Sequence, residues 1–262
     1  MPRPSSRRDA FPRALGDKVS RETLLAAVSC CKVRLRANFH CFFRLRLLEY
    51  PTMLSGLSVR ELLKPFAVDL SDDQLEQVLT YLDLLLRWNQ KINLTAIRTP
   101  EECVTRHFGE SFLVSHSAHL TGSLLDVGSG AGFPGLALKI LRPEMTALLL
   151  EPIGKKRAFL REVISACGLT MIKVGASTIE ELSRQQGCEV FDLVTMRAVG
   201  KLGQLLPHAL KCLKARGHLC LWLGSEQVEE VTREKTPVEW RDPILIPLSH
   251  KRLILVGTKL DI

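Results

Sequence analysis

The run Leu124-Leu125-Asp126-Val127-Gly128-Ser129-Gly130-Ala131-Gly132-Phe133-Pro134-Gly135 decides how this chain folds. A short apolar strand runs into three alternating glycines, and a helix-length stretch, Pro134–Leu141, follows. Glycine lets the backbone bend tightly and lets a ligand approach it closely. In a doubly wound sheet that ligand sits beyond the carboxyl ends of the strands. The next apolar run, Thr146–Leu150, ends in Glu151, nineteen residues after Gly132, where a carboxylate can accept hydrogen bonds from two ribose hydroxyls.

Outward from this unit, short apolar runs alternate with helical stretches. Strands are expected at Ser123–Val127, Thr146–Leu150, Met171–Val174, Phe191–Thr195, Leu219–Leu223, Ile244–Pro247 and Leu253–Gly257. Helices are expected near Pro134–Leu141, Gly154–Cys167, Lys201–Leu213 and Glu226–Lys235. The alternation implies an α/β fold whose seven-stranded sheet is mostly parallel and flanked by helices. The last two strands lack a helix between them and should form an antiparallel C-terminal hairpin. Residues 57–118 read as helical instead. Leu57–Phe66 is stopped near Pro65. Ser71 and Gln74 form a capping box, with Asp72 and Asp73 at the positive helix end. Leu75, Val78, Leu79, Leu82, Leu85 and Leu86 then give one apolar face to about Gln90. Thr99-Pro100-Glu101-Glu102 opens a further helix to about Ser117. The expected organisation is an extension over 1–52, a helical subdomain over 53–120 and a ligand-binding α/β domain over 121–262.

With 262 residues, 46% hydrophobic and 24% charged, the chain has the composition of a globular protein. No apolar run approaches the roughly 18 residues of a membrane span. The formal charge is +8, but 11 basic and 4 acidic residues fall within 1–52, a net +7 that leaves +1 for the rest. That Arg-rich extension, with Pro2, Pro4 and Pro12, has three readings. It is a translated upstream region with Met53 the working start, or a basic nucleic-acid-binding arm, or a targeting segment. The eight cysteines show no C-x-x-C and no paired histidine spacing, so no metal site is expected, and they read as reduced thiols of a cytoplasmic protein.

Two ligands suit a strand–glycine loop–helix–strand–acid unit. A dinucleotide calls for G-x-G-x-x-G, whereas here Phe133 fills the sixth position and the pattern is Asp126 followed by G-x-G-x-G. That pattern resembles the first motif of the class I S-adenosylmethionine-dependent methyltransferases, which have a Rossmann-like fold. Further segments occur in one order: Arg87-Trp88-Asn89 with Asn93-Leu94-Thr95, Arg106-His107-x-x-Glu110-Ser111, the glycine loop with its Pro134-Gly135 end, Gly154-Lys155-Lys156-Arg157-x-Phe159-Leu160, and Arg197-Ala198. Together they resemble the RsmG (GidB) family, which methylates N7 of a guanine, the 527 position, in bacterial 16S rRNA. The resemblance covers about 54–262 and none of 1–52. Two departures stand out: Glu110 where the family usually has Asp, and Met196-Arg197-Ala198-Val199 in place of Ser-Arg-Ala-Phe.

The resemblance implies S-adenosylmethionine as cofactor, with contacts at Gly128, Phe133, Ile179, Glu180 and Arg197. Gly130, Gly132 and Glu151 complete the set from the loop and the acid at the second strand's end, and Asp126 orders the loop or holds the cofactor's amino group. It also implies 16S rRNA or the small ribosomal subunit as substrate and a monomeric enzyme. Guanine N7 carries a lone pair and no proton, so alignment and electrostatics matter more than a base. Arg106, His107 and Arg197 are accordingly positioning candidates rather than assigned catalytic groups. Lys155, Lys156, Arg157 and Arg161, with Lys139 and Arg142 near in sequence, are candidates for RNA phosphates, and Trp88 and Phe108 for stacking on a base. No Asn/Asp-Pro-Pro-Tyr/Phe follows Phe191–Thr195 and no Pro-Cys or Thr-Cys dipeptide occurs, which excludes exocyclic-amine and cytosine-C5 chemistry. The competing classes are a non-catalytic RNA-binding protein on a methyltransferase-like fold and an NAD-dependent oxidoreductase. A chain begun at Met53 tests the extension: full activity and rRNA affinity are expected if the net charge has no part in function, and lost affinity in a filter-binding titration would assign 1–52 as the basic arm.

Overall fold

Local signals set the first helices. In the computed structural model, which describes residues 54–261 except His119 and Glu234, α1 is Gly56–Leu63 and a 3₁₀ turn follows at Lys64–Phe66. The extension 1–52 and Met53 lie outside the described residues. Helix α2, Asp72–Asn89, opens with the expected box: Gln74 N–H donates to Ser71 Oγ at 3.2 Å and Ser71 N–H to Gln74 Oε1 at 3.0 Å. The Gln74 amide also donates to the carbonyls of Ile140 and Leu141, each at 3.1 Å, so one cap ties α2 to a helix of the sheet.

Thr99 caps the next helical stretch as its sequence dictates, with Pro100 in the first turn. The stretch is not one regular helix. It opens as α3 (Pro100–Cys103), widens into a π-helix over Val104–Gly109, continues as α4 (Glu110–Phe112) and tightens to 3₁₀ over Leu113–His116. The single-faced periodicity expected of a surface helix fails here because Cys103, Val104 and every residue from His107 to Val114 are buried. π-turns concentrate at functional sites.

The sheet then builds from β1 (Ser123–Val127), α5 (Gly135–Leu141), β2 (Thr146–Leu150), α6 (Gly154–Ala166), β3 (Ile172–Gly175), α7 (Ile179–Leu182), β4 (Phe191–Arg197), α8 (Leu202–Cys212), β5 (Leu213–Gly224), α9 (Ser225–Arg233), β6 (Val238–Trp240), β7 (Ile244–Leu245) and β8 (Arg252–Lys259). Strand order is β3-β2-β1-β4-β5-β8-β6, parallel throughout β1–β5, with β8 antiparallel to β5, β6 and β7. The C-terminal hairpin is thus β7–β8. Strand β6, an eighth beside the seven read from sequence, continues the same edge: Asp242-Pro243 interrupts it, because proline cannot donate to the ladder. Helix α7 went unread because four residues are too few for a period. Its Thr178–Glu181 capping box was the available signal.

Two apolar layers cover the sheet. On one face α1, α2, the π-helix, α5 and α6 pack with Leu124, Leu193, Cys220, Trp222 and Ile254. On the other, α8 and α9 pack with Leu125, Val194, Leu221 and Leu255. The helical segment therefore shares a core with the sheet. Among the described residues no helix is long and apolar enough to cross a membrane. Replacing Ser71 by Ala removes the α2 cap and is expected to lower the unfolding free energy by about 1 kcal/mol, read from urea denaturation.

Candidate active site

Successive strand residues point to opposite faces. Since Leu124, Leu193, Cys220 and Ile254 face the helical segment, alternation sends Asp126, Thr195, Arg197, Trp222 and Arg252 to that face too. Arg197 is the last residue of β4, paired in register with Trp222, and Arg252 is the first of β8, opposite Gly224 at the end of β5. All lie at the carboxyl end of the parallel strands, where the glycine loop emerges.

That loop is held from below by two carboxylates. Asp126, 1% exposed, accepts from Thr195 Oγ at 2.7 Å and from Gly135 N–H at 3.2 Å, which fixes the start of α5. Burial pushes the Asp126 carboxyl up to about 6, against the opposing hydrogen bonds. Glu151 accepts Gly130 N–H on one oxygen and Ile153 N–H on the other, both at 2.8 Å, and each oxygen keeps a further lone pair. Gly130 adopts φ +57°, and a Cβ there would meet nothing nearer than 3.7 Å. At Gly132, φ +90°, a Cβ would lie 2.3 Å from the Tyr81 hydroxyl.

Tyr81 was not singled out by its sequence. From α2 its hydroxyl donates to the Ala131 carbonyl inside the loop, and its ring stacks on Phe133, centroids 4.9 Å apart. His107 from the π-helix also stacks on Phe133, at 4.6 Å, and Phe108 meets it edge-on at 5.0 Å. The Phe133 ring is therefore part of the core that braces the loop. His107 is buried, with Thr95 Oγ 2.9 Å from Nε2 and no partner for Nδ1 among the described residues. Burial, then the nearby Arg197 and Arg106 charges, hold its pKa down to about 3, so the ring is neutral at physiological pH.

Glu110, the first residue of α4 directly after the π-helix and 1% exposed, meets Arg197, Trp222 and Arg252. Its carboxylate accepts from Arg197 Nη2 at 2.9 Å and from Arg252 Nε and Nη2 at 3.1 and 2.9 Å. The Trp222 indole N–H donates to its carbonyl at 2.9 Å. Arg197 Nη2 also donates to the Arg106 carbonyl at 2.6 Å. Arg197 is thus no surface charge: it is largely buried, and its Nη1 lacks a partner among the described residues.

A family model described as rRNA small subunit methyltransferase G (GidB) matches residues 74–247. The chain is 38% identical over 205 residues to ribosomal RNA small subunit methyltransferase G of Roseiflexus sp. (strain RS-1), covering 75% of this chain and 88% of that protein. It is 39% identical over 199 residues to the protein of the same name from Desulfitobacterium hafniense (strain Y51), covering 72% and 83%. The chain belongs to this family. Among solved structures, a SAM dependent methyltransferase from Aquifex aeolicus superposes with TM-score 0.50 at 15% identity, over 61% of this chain and 93% of that one, which shows the shared fold.

In this GidB-family chain the remaining candidates divide. Ile179 is buried in the second apolar layer. Glu180 is half-buried and its carboxylate is held low by its own backbone N–H and by Thr178, whereas neighbouring Glu181 is committed to the Thr178 cap. Lys155 and Arg161 are exposed and Lys156 half-buried, without side-chain partners among the described residues. Arg157 folds back onto the carbonyls of Glu151 and Pro152, at 3.0 and 2.5 Å. Lys139 does not belong with these cations. It is 1% exposed and donates to the carbonyls of Pro143, at 2.7 Å, and Met145, closing the turn before β2. Phe108 is fully buried and not free to stack on a base, whereas Trp88 is half-buried, meets Phe159 edge-on and donates to Glu162. Among the described residues no group of three His, Cys, Asp or Glu is placed to hold a metal.

His107 gives a pH prediction. The unfolded chain takes up its proton near 6.5 and the folded ring near 3, so the native state loses stability as pH falls through that window. His107→Phe, which keeps the stack, is expected to make the loss between pH 7 and 5 smaller by about 2 kcal/mol in urea titrations at the two pH values.

Proposed function

We propose that this chain transfers the methyl group of S-adenosylmethionine to N7 of the guanine at the 527 position of 16S rRNA. Membership of the rRNA small subunit methyltransferase G family makes it a methyltransferase of small-subunit rRNA. The atom, the position and the residue roles below go further. The reading extends to a monomeric, cytoplasmic enzyme acting on 16S rRNA or the small ribosomal subunit.

The observation that supports the cofactor best is the conjunction at the loop: an uncrowded Gly130, where a Cβ would meet only the Gly128 carbonyl oxygen at 3.7 Å, and a buried Glu151 carboxylate with spare lone pairs, one strand away. The residues present fit S-adenosylmethionine. Gly128, Gly130 and Gly132 admit its amino-acid end, Glu151 takes the ribose hydroxyls, and Ile179 and Glu180 border the adenine. Phe133 contributes main chain, its ring being packed between aromatic neighbours. Arg197 offers a buried, unpartnered Nη1. Asp126 orders the loop, as its bonds to Thr195 and Gly135 indicate. When bound, the cofactor supplies an electrophilic sulfonium methyl.

The chain's own residues then have to place guanine N7 in line with that methyl and stabilise the charge redistribution. No proton leaves N7, and His107, kept neutral, is suited to positioning rather than to base catalysis. Arg106 lies at the rim with its side chain 42% exposed, within reach of solvent and RNA. Lys155 and Lys156 at the start of α6, with Arg161 about two turns further along it, engage phosphates, and Arg157 joins them only through what its two carbonyl bonds leave over.

Titration calorimetry with S-adenosylmethionine and mapping of the methylated nucleotide on small subunits from a strain lacking this activity test the proposal. A modified atom other than guanine N7 would overturn it. Gly130→Val is expected to stay folded, losing about 2 kcal/mol to the left-handed backbone, and to give no calorimetric heat with S-adenosylmethionine.

A further inference from the structure

Arg252 is remote in sequence from every assigned residue, yet it shares a carboxylate with Arg197. Its Nε and Nη2 both donate to Glu110 Oε1, at 3.1 and 2.9 Å. Arg197 is left with Oε2 alone, bound through Nη2 at 2.9 Å. Unopposed, an arginine and a carboxylate favour two parallel bonds that use both oxygens. Arg197 is denied that arrangement. The Glu110 main chain cannot drift to restore it, because its carbonyl is held by the Trp222 indole. Arg197 Nη2 makes its other bond to the Arg106 carbonyl, and Nη1 stays buried without a partner among the described residues. A buried guanidinium N–H without an acceptor is costly, and an acceptor carried by a ligand would relieve that cost.

We propose that Arg252 is a positioning residue for methyl transfer: by occupying Glu110 Oε1 it restricts Arg197 to one carboxylate oxygen and keeps Arg197 Nη1 available to an acceptor oxygen on the bound reactants. This rests on the reading that Arg197 serves the methyl-transfer site. Two sources share the required chemistry, the carboxylate of S-adenosylmethionine and an oxygen of the target nucleotide.

Arg252 is 37% exposed in its side chain and opens a strand, so its removal leaves no core cavity. The test compares Arg252→Ala, Arg252→Lys and Arg197→Ala. Each is followed by thermal unfolding, S-adenosylmethionine calorimetry and steady-state methylation of small subunits. Arg252→Ala is expected to stay folded and to lose roughly tenfold to a hundredfold, the scale of one charged hydrogen bond. A loss in S-adenosylmethionine Kd assigns the acceptor to the cofactor. A loss in kcat/KM for the subunit at unchanged Kd assigns it to the nucleotide. Arg252→Lys, whose ammonium can still hold Oε1, is expected to recover to within about threefold. A purely structural role would lower the Tm of Arg252→Ala and leave these constants alone. Wild-type constants in Arg252→Ala beside an impaired Arg197→Ala overturn the proposal and leave the role of Arg197 standing. Wild-type constants in Arg197→Ala overturn both. Should Arg252→Ala not fold, Arg252→Met, which keeps an apolar stem, is judged by the same criteria.

Discussion

Taking the Glu110 carboxylate out of water costs several kcal/mol, and the site is arranged around meeting that cost. Three charge-assisted bonds from two guanidinium groups fall on its oxygens, and an indole N–H falls on its carbonyl. The donors come from β4, β5 and β8, three neighbouring strands whose alternation turns Arg197, Trp222 and Arg252 to one face. The acceptor opens α4, immediately after the widened helical turn packed on that face. Because a buried carboxylate tolerates no loose partner, this contact sets where the helical segment sits against the sheet.

The same segment braces the glycine loop. Tyr81 and His107 stack on Phe133, and the Tyr81 hydroxyl holds the Ala131 carbonyl. From beneath, Asp126 and Glu151 take backbone N–H groups of the loop and of the start of α5. A loop built from glycines would otherwise be soft, since glycine has the most conformational freedom to lose. Clamped from both sides, it keeps positive φ at Gly128, Gly130 and Gly132 while leaving Gly130 uncrowded. The helical segment is in this sense half of the site rather than an appendage.

Electrostatics are local as well. The formal +8 of the chain is concentrated in residues 1–52, and the remainder is close to neutral. Arg157 is committed to backbone carbonyls at the sheet's ligand end, whereas Lys139 closes the turn before β2, at the opposite end of the parallel strands. Lys155, Lys156 and Arg161 have no side-chain partner among the described residues. Net charge is therefore a poor guide here, and the accounting has to be made side chain by side chain.

Much of this was legible in sequence where the physics is local. The Ser71 and Thr99 caps and the glycine turn after an apolar strand each depend on residues within a few positions of one another and form where they are read; Glu151 does follow the next strand, but its bond to Gly130 N–H spans 21 positions. The strands of the parallel sheet fall where their apolar runs lie, because a strand buried on both faces has to be apolar along its length. What sequence left open was long-range. Arg197 reaches Glu110 across 87 positions, Arg252 reaches it across 142, and Tyr81 reaches Ala131 across 50. No periodicity marks such partners, since their meeting depends on strand order and on a helical segment whose turn widens over Val104–Gly109. Backbone conformation and burial pattern, both readable along the chain, were enough for the α/β architecture and the glycine loop. The tertiary structure alone decided which charges are buried together, because pairing energy depends on distance in space and not along the chain.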